Sequence, residues 1–142
     1  MIRKALIVSA LAFVAQAAWA GPTATLNGII TDSAGNTLYT FDKDEPGRSN
    51  CAGDCLKKWP AFIAQPEARE TGDFSLIATT DGRRQWTIKG KPLYYFAGDQ
   101  APGQRNGEGI GGMWHVIGAS QAGAPKATDY GAENIRNNSY GY

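Results

Sequence analysis

One pattern of aromatic and acidic residues occurs twice in this chain of 142 residues. The pattern L-Y-x-F-x-x-D occupies residues 38–44 and again residues 93–99, an offset of 55 positions. A Pro-Gly pair follows each copy, and Trp59 and Trp114 keep the same offset. Because a pattern repeated at a fixed spacing indicates a repeated structural unit, the chain is predicted to fold as two pseudo-repeats.

Each pseudo-repeat contains short runs of β-forming residues separated by turn-forming residues, which is typical of antiparallel hairpins. The side chains of a strand alternate between its two faces, so Tyr39 and Phe41 are expected on one face and Leu38 and Thr40 on the other. The predicted strands are residues 28–31, 37–41, 74–79, 85–88, 93–96 and 113–117.

We therefore predict an all-β domain of residues 21–119, with repeats of about 26–66 and 73–119 around an aromatic core. The charged, irregular stretch from Pro66 to Gly72 is expected to form the boundary between the repeats. Residues 51–59 are predicted to form a short helical turn that ends at Pro60.

The first 20 residues have the features of a cleaved signal peptide. A basic start at Arg3 and Lys4 precedes an apolar run too short to span a bilayer, and Ala18-Trp19-Ala20 is a typical cleavage site. We therefore expect a periplasmic or secreted protein without a membrane span after cleavage. Residues 120–142 contain few aliphatic side chains and are expected to form a flexible tail.

The charge of the chain argues against a nucleic-acid partner. Two of the 14 basic residues lie in the predicted signal peptide, which leaves 12 basic against 13 acidic side chains in the mature chain. Proteins that bind nucleic acid usually present a basic face to the phosphates, and this sequence has no such stripe. We expect a monomer whose partner is an envelope protein or a glycan.

The two cysteines, Cys51 and Cys55, are expected to form a disulfide, because exported proteins meet an oxidising environment. The alternative is a small copper-binding or redox protein. Two thiolates and the imidazole of His115, with the thioether of Met113, would suit Cu(I). Strand alternation places His115 and Met113 on the face opposite Trp114, where they would be accessible.

The last aspartate of each motif copy, Asp44 or Asp99, is expected to accept backbone N–H groups in the following turn. A calcium site near Asp44 is disfavoured, because Pro46 stands where a ligand is needed and no bidentate glutamate follows. If the protein is a binding module, Tyr39 and Tyr94 are expected to be exposed aromatic residues of its binding surface, with Asp44 and Asp99 beside them.

The sequence resembles a family of bacterial secreted repeats, described as predicted lipoproteins with a Yx(F/W/Y)xxD motif. The resemblance rests on the two motif copies, on the cysteine pair followed by Trp59-Pro60, and on the ending G-x-G-x-G-G-x-W-H-V, and it covers residues 28–117. The family has no known function. Because this chain has no lipoprotein cysteine near the cleavage site, the resemblance implies a free periplasmic or secreted form.

No catalytic motif is recognisable in the chain. There is no Ser/His/Asp order, no paired carboxylates and no phosphate-binding loop, since the glycines of residues 107–112 do not lie between a strand and a helix. The sequence therefore predicts a non-enzymatic binding or interaction module of the cell envelope.

Overall fold

The computed structural model describes residues 21–119, so the predicted signal peptide and the predicted tail lie outside the described residues. Strands dominate and helix is scarce, which confirms the all-β prediction. In chain order the elements are β1 (Ala24–Leu26), β2 (Ile29–Thr31), β3 (Tyr39–Phe41), α1 (Asp54–Lys58), β4 (Phe74–Ala78), β5 (Arg84–Ile88), β6 (Lys91–Pro92), a 3₁₀ helix (Ile110–Gly112) and β7 (Trp114–Val116). Helix α1 confirms the predicted helical turn before Pro60.

Three small antiparallel sheets contain these strands. Strands β1 and β2 form one hairpin, and β4, β5 and β6 form a three-stranded meander. The third sheet pairs β3 with β7, and it places Tyr39 opposite Val116 and Phe41 opposite Trp114. Because β3 belongs to the first repeat and β7 to the second, the last strand of residues 21–119 pairs with the first half of the fold.

The two repeats are related by an approximate two-fold arrangement centred on Tyr39 and Tyr94. The N–H of Tyr39 donates to the carbonyl of Tyr94 at 2.8 Å, and the N–H of Tyr94 donates to the carbonyl of Tyr39 at 3.0 Å. The same symmetry appears farther out. The N–H of Asp42 donates to the Met113 carbonyl at 2.8 Å. At the 55-residue offset, Ala97 corresponds to Asp42 and Lys58 to Met113, and the N–H of Ala97 donates to the Lys58 carbonyl at 2.9 Å.

Two details of the strands differ from the sequence prediction. Strand β1 was not predicted, although Asn27 and Gly28 form its turn with φ of 50° and 79°, as Asn-Gly does in tight hairpins. Residues 93–96 do not form a regular strand, so that prediction was wrong. Tyr94 instead makes isolated bridges to Tyr39 and to Ala61 on its two sides. The short β6 pairs with β5 in its place.

The interior consists of two adjoining clusters, and β3 separates them. Leu38 packs in an aliphatic cluster that also contains Trp86, whereas Tyr39 and the half-buried Phe41 pack in an aromatic cluster. This confirms the predicted separation of Leu38 from Tyr39 and Phe41. Leu38 and Tyr39 therefore contribute to different parts of the core.

Four rings stack through the centre of the aromatic cluster. Trp59 and Trp114 lie face to face, with ring centroids 3.8 Å apart and planes within 1°. Phe41 stacks on the outer side of Trp114 at 4.2 Å, and Phe96 packs on the outer side of Trp59 at 4.6 Å. Each phenylalanine thus covers the tryptophan of the other repeat.

Gly107 passes so close to this stack that a side chain would not fit. A Cβ atom at this position would lie 2.8 Å from the Trp59 ring and 2.9 Å from the Phe96 ring. We expect Gly107→Ala to lower the free energy of unfolding by about 1–3 kcal/mol, because the buried rings have to move.

Gly21→Ala is the matched control for this substitution. A Cβ atom there would meet Phe74 at 3.7 Å, an ordinary van der Waals contact. The control should change the stability by less than about 0.5 kcal/mol in urea unfolding. Equal effects of the two substitutions would contradict the close packing at Gly107.

Candidate functional site

The two motif tyrosines lie in the interior of the domain. Tyr39 and Tyr94 are each 0 % exposed, so the expectation that they form an exposed binding surface is wrong. The rings of Tyr39 and Trp59 meet edge to face, with centroids 5.4 Å apart, and the rings of Tyr94 and Trp114 do so at 5.2 Å. Both rings lie in the aromatic cluster, Tyr39 from β3 and Tyr94 from the corresponding segment of residues 93–96.

The hydroxyls of these tyrosines bind the aspartates of the opposite repeat. The Tyr39 hydroxyl donates to Oδ2 of Asp99 at 2.6 Å, and the Tyr94 hydroxyl donates to Oδ2 of Asp44 at 2.7 Å. Burial, together with the neighbouring carboxylate, raises the pKa of both tyrosines well above the usual value. Burial also raises the pKa of Asp44. The tyrosines therefore act as protonated donors.

The second oxygen of each aspartate holds the loop that follows it. Oδ1 of Asp44 accepts the N–H of Asn50 at 2.7 Å, and Oδ1 of Asp99 accepts the N–H of Asn106 at 2.9 Å. This confirms that the aspartates hold turns. Within residues 21–119, every buried side-chain nitrogen and oxygen has a hydrogen-bond partner. The polar atoms of the repeated motif thus have structural roles.

Cys51 and Cys55 form a disulfide, as predicted, with their Cα atoms 5.3 Å apart. Cys51 is buried and belongs to the aromatic cluster, against which Met113 also packs. Met113 precedes β7, so strand alternation does not place it beside His115. Disulfide sulfurs offer no thiolate, and copper binding by Cys51, Cys55, Met113 and His115 would require reduction of the bond. It stays a prediction.

His115 lies on the outer face of β7, as the alternation predicted, and its side chain is 40 % exposed. Its Nε2 is 2.9 Å from Oδ2 of Asp42, and its Nδ1 is 3.5 Å from Oε1 of Glu108. Sequence reasoning did not find these two partners, because only the pairing of β3 with β7 brings Asp42 to the histidine. No group of three or more His, Cys, Asp or Glu residues in the described part of the chain is placed to hold a metal ion.

A cleft of about 640 Å³ is lined by residues of both repeats. Phe62 from the first repeat and Trp86 and Tyr95 from the second line its apolar part. The rings of Phe62 and Tyr95 meet edge to face, with centroids 5.5 Å apart. This volume is in the range of small-ligand sites.

The rim of this cleft carries more negative than positive charge. Asp32, Glu67 and Glu70 line it together with a single guanidinium, that of Arg69. Hydrogen bonds from Asn36, Tyr95 and the Ala34 N–H hold the pKa of Asp32 below its usual value although burial acts in the opposite direction. Asp32 is therefore ionised at neutral pH, and the cleft favours a cationic ligand.

The outer wall of the cleft is the segment of residues 65–71, which the sequence analysis treated only as a boundary. Arg84 holds this segment by donating to the carbonyls of Gln65 and Pro66. Oε1 of Glu70 accepts the N–H of Leu76 on the free edge of β4 at 2.9 Å. The charged residues from Glu67 to Glu70 were the only sign in the sequence of a site in this segment. Nothing in the local sequence showed that the segment folds over Trp86.

Comparison with known protein families gives a match over most of the described chain. A family described as a secreted repeat of unknown function matches residues 24–62 and 75–117, one stretch for each pseudo-repeat. The comparisons found no match among curated proteins or solved structures. Among residues 21–119, none of the helices is long and apolar enough to cross a membrane.

The crossed tyrosine–aspartate bonds should be measurable as a coupling energy. Tyr39→Phe and Asp99→Ala should each lower the free energy of unfolding by about 1–3 kcal/mol, because the first removes the donor to the half-buried Asp99 and the second leaves the buried Tyr39 hydroxyl without its acceptor. The double substitution should cost less than the sum by about 0.5–3 kcal/mol. Tyr39→Phe combined with Glu45→Ala, an exposed carboxylate, should be additive, and additivity in both pairs would contradict the cross-repeat bond.

The disulfide predicts the intact mass of the protein purified without metal or reductant. The mass should be about 2 Da below that of the reduced chain, since forming one disulfide removes two hydrogens. Cys51→Ser should abolish this difference. A fully reduced mass with one bound copper ion, lost in both Cys51→Ser and His115→Ala, would instead establish the copper site.

Proposed function

The chain belongs to the family of secreted repeats of unknown function, and on that premise we propose that it is a non-enzymatic binding module of the bacterial cell envelope. The protein acts in the periplasm or after secretion, as a monomer. Its binding site is the cleft between Phe62, Trp86 and Tyr95. Its ligand is a segment of an envelope protein that carries a lysine or arginine beside apolar side chains.

The charge and shape of the cleft are the observation that carries this proposal. Three carboxylates against one guanidinium on the rim attract a cation, and the apolar part accommodates the aliphatic side chains next to it. An ammonium or guanidinium group near the half-buried ring of Tyr95, which lines the cleft, would gain further attraction from that ring. A ligand with both features fits better than a neutral saccharide, which would not use the rim charge.

The environment of Asp32 supports binding over catalysis. Its Oδ1 accepts the N–H groups of Ala34 and Asn36, and its Oδ2 accepts the side-chain amide of Asn36 and the hydroxyl of Tyr95, all at 2.9 Å. A carboxylate engaged in this way is poorly placed to remove a proton from a substrate. Among the described residues that line the cleft there is no histidine or cysteine.

A pair of capped tripeptide amides tests the proposal. One has the order leucine–lysine–leucine and the other leucine–glutamate–leucine, so they differ only in the sign of the central charge. We expect the lysine peptide to bind at least about tenfold more tightly by calorimetry, the ratio that corresponds to 1.4 kcal/mol. Both peptides should remain intact in mass spectra after incubation.

Two arginine substitutions in one turn provide the matched variants. Ser33 is exposed and lines the cleft, whereas Ala34 is exposed in the same turn and does not line it. Ser33→Arg should abolish binding of the lysine peptide, and Ala34→Arg should leave it unchanged. Equal affinity for the two peptides, tighter binding of a neutral chito-oligosaccharide, or peptide cleavage would overturn the proposal.

A further inference from the structure

We propose that His115 is the centre of a proton-operated latch that joins the glycine-rich loop of residues 107–112 to the end of β3. Asp42 directly follows β3 and faces one ring nitrogen of His115, while Glu108 lies in the loop and faces the other. A protonated imidazole donates from both nitrogens, so it joins both carboxylates at once. A neutral imidazole donates from only one. The latch is separate from the ligand cleft and goes beyond the proposed function.

Comparison of the repeats shows that the fold itself does not need this cluster. At the 55-residue offset, Pro60 occupies the position of His115 and Ala97 that of Asp42. The loop alignment that matches Asn50 with Asn106 places Ala52 at the position of Glu108. The N–H of Ala97 still donates to the carbonyl of Lys58, although none of the three ionisable groups is present at that related position. The cluster, with Asp42 from the first repeat and Glu108 and His115 from the second, is therefore an addition at one of the two related positions.

The latch restrains a loop that covers part of the aromatic core. Glu108 accepts the N–H of Val116 through its other oxygen, which connects the loop directly to β7. The N–H of Gly109 donates to the carbonyl of Trp114 at 2.8 Å, and Ile110 packs against the aromatic cluster. Loss of the contact between His115 and Glu108 therefore removes one restraint on this loop, while its hydrogen bonds with Val116 and Trp114 remain.

The charged groups around His115 determine the direction of the pH response. Asp42 and Glu108 favour its protonated form, while Lys89 and Lys91, which line the same cleft of about 440 Å³, carry opposing charge. The hydrogen bond with Asp42 is the main influence and raises the pKa of His115; burial acts in the opposite direction, and Glu108 raises the pKa further.

The sign of the linkage follows from this raised pKa. The folded protein binds the proton more tightly than the unfolded chain, so the stabilisation is complete below the ordinary histidine pKa of about 6.5. It is lost as the pH rises through the raised pKa of the folded state. The latch is closed in mildly acidic surroundings and opens in alkaline ones.

Proton NMR of the imidazole tests the latch, and His115 is the only histidine of the chain, so its signals are unambiguous. The titration midpoint should lie above about 6.5 in the folded protein. In Asp42→Asn it should move downward. Glu45→Gln is the control, because Glu45 makes an exposed pair with Arg48 and the midpoint should not change.

Hydrogen exchange measures whether the loop responds. After correction for the intrinsic pH dependence, protection of the Gly109 amide should fall severalfold between about pH 5.5 and about pH 8.5, on either side of the ordinary histidine pKa. His115→Gln should show the low protection at both pH values. A midpoint at or below about 6.5, or the same pH-dependent loss of protection in His115→Gln, would overturn the proposal.

Discussion

Two buried tyrosine hydroxyls, each of which needs an acceptor, determine how this domain is assembled. A hydroxyl buried without a partner is costly, and here each acceptor is an aspartate of the other repeat. The stacked Trp59 and Trp114 come from different repeats in the same way. One repeat alone would leave a hydroxyl, a carboxylate and a tryptophan face without their partners. The duplication therefore produced one cooperative core and not two domains in tandem.

The local features of the fold could be predicted from the sequence, because strand alternation and turn chemistry depend on neighbouring residues. The division of Leu38 from Tyr39 and the helical turn before Pro60 are of this kind. The partners across the repeats could not be predicted from the sequence, because two similar units can pair either within a repeat or between repeats. Tyr39 and Tyr94 were wrongly expected at the surface as part of the binding-module hypothesis, and only the fold shows that Asp99 and Asp44 satisfy their hydroxyls inside.

The same distinction applies to the candidate sites. The outward position of His115 followed from the alternation along one strand. Its partners Asp42 and Glu108 are 73 and 7 residues away in the sequence, and their meeting depends on the β3–β7 register. The ligand cleft depends on residues 65–71 folding over Trp86, a long-range arrangement that the charge of this stretch alone does not indicate. Both sites thus required the tertiary structure.

The pseudo-symmetry separates residues that maintain the fold from residues that are free to differ. The repeated tyrosines, aspartates and tryptophans satisfy one another in the interior, so a family defined by that motif is defined by a scaffold. Asp42, Glu108 and His115 have no ionisable counterparts at the matching positions, and the carboxylates of the proposed ligand cleft, Asp32, Glu67 and Glu70, lie outside the repeated motif. Function is determined by such sites and not by the fold. We therefore expect a change in the motif to reduce stability, and a change at an unrepeated position to alter the local charge or the proposed ligand preference while the core stays intact. Members that share the scaffold need not share a ligand.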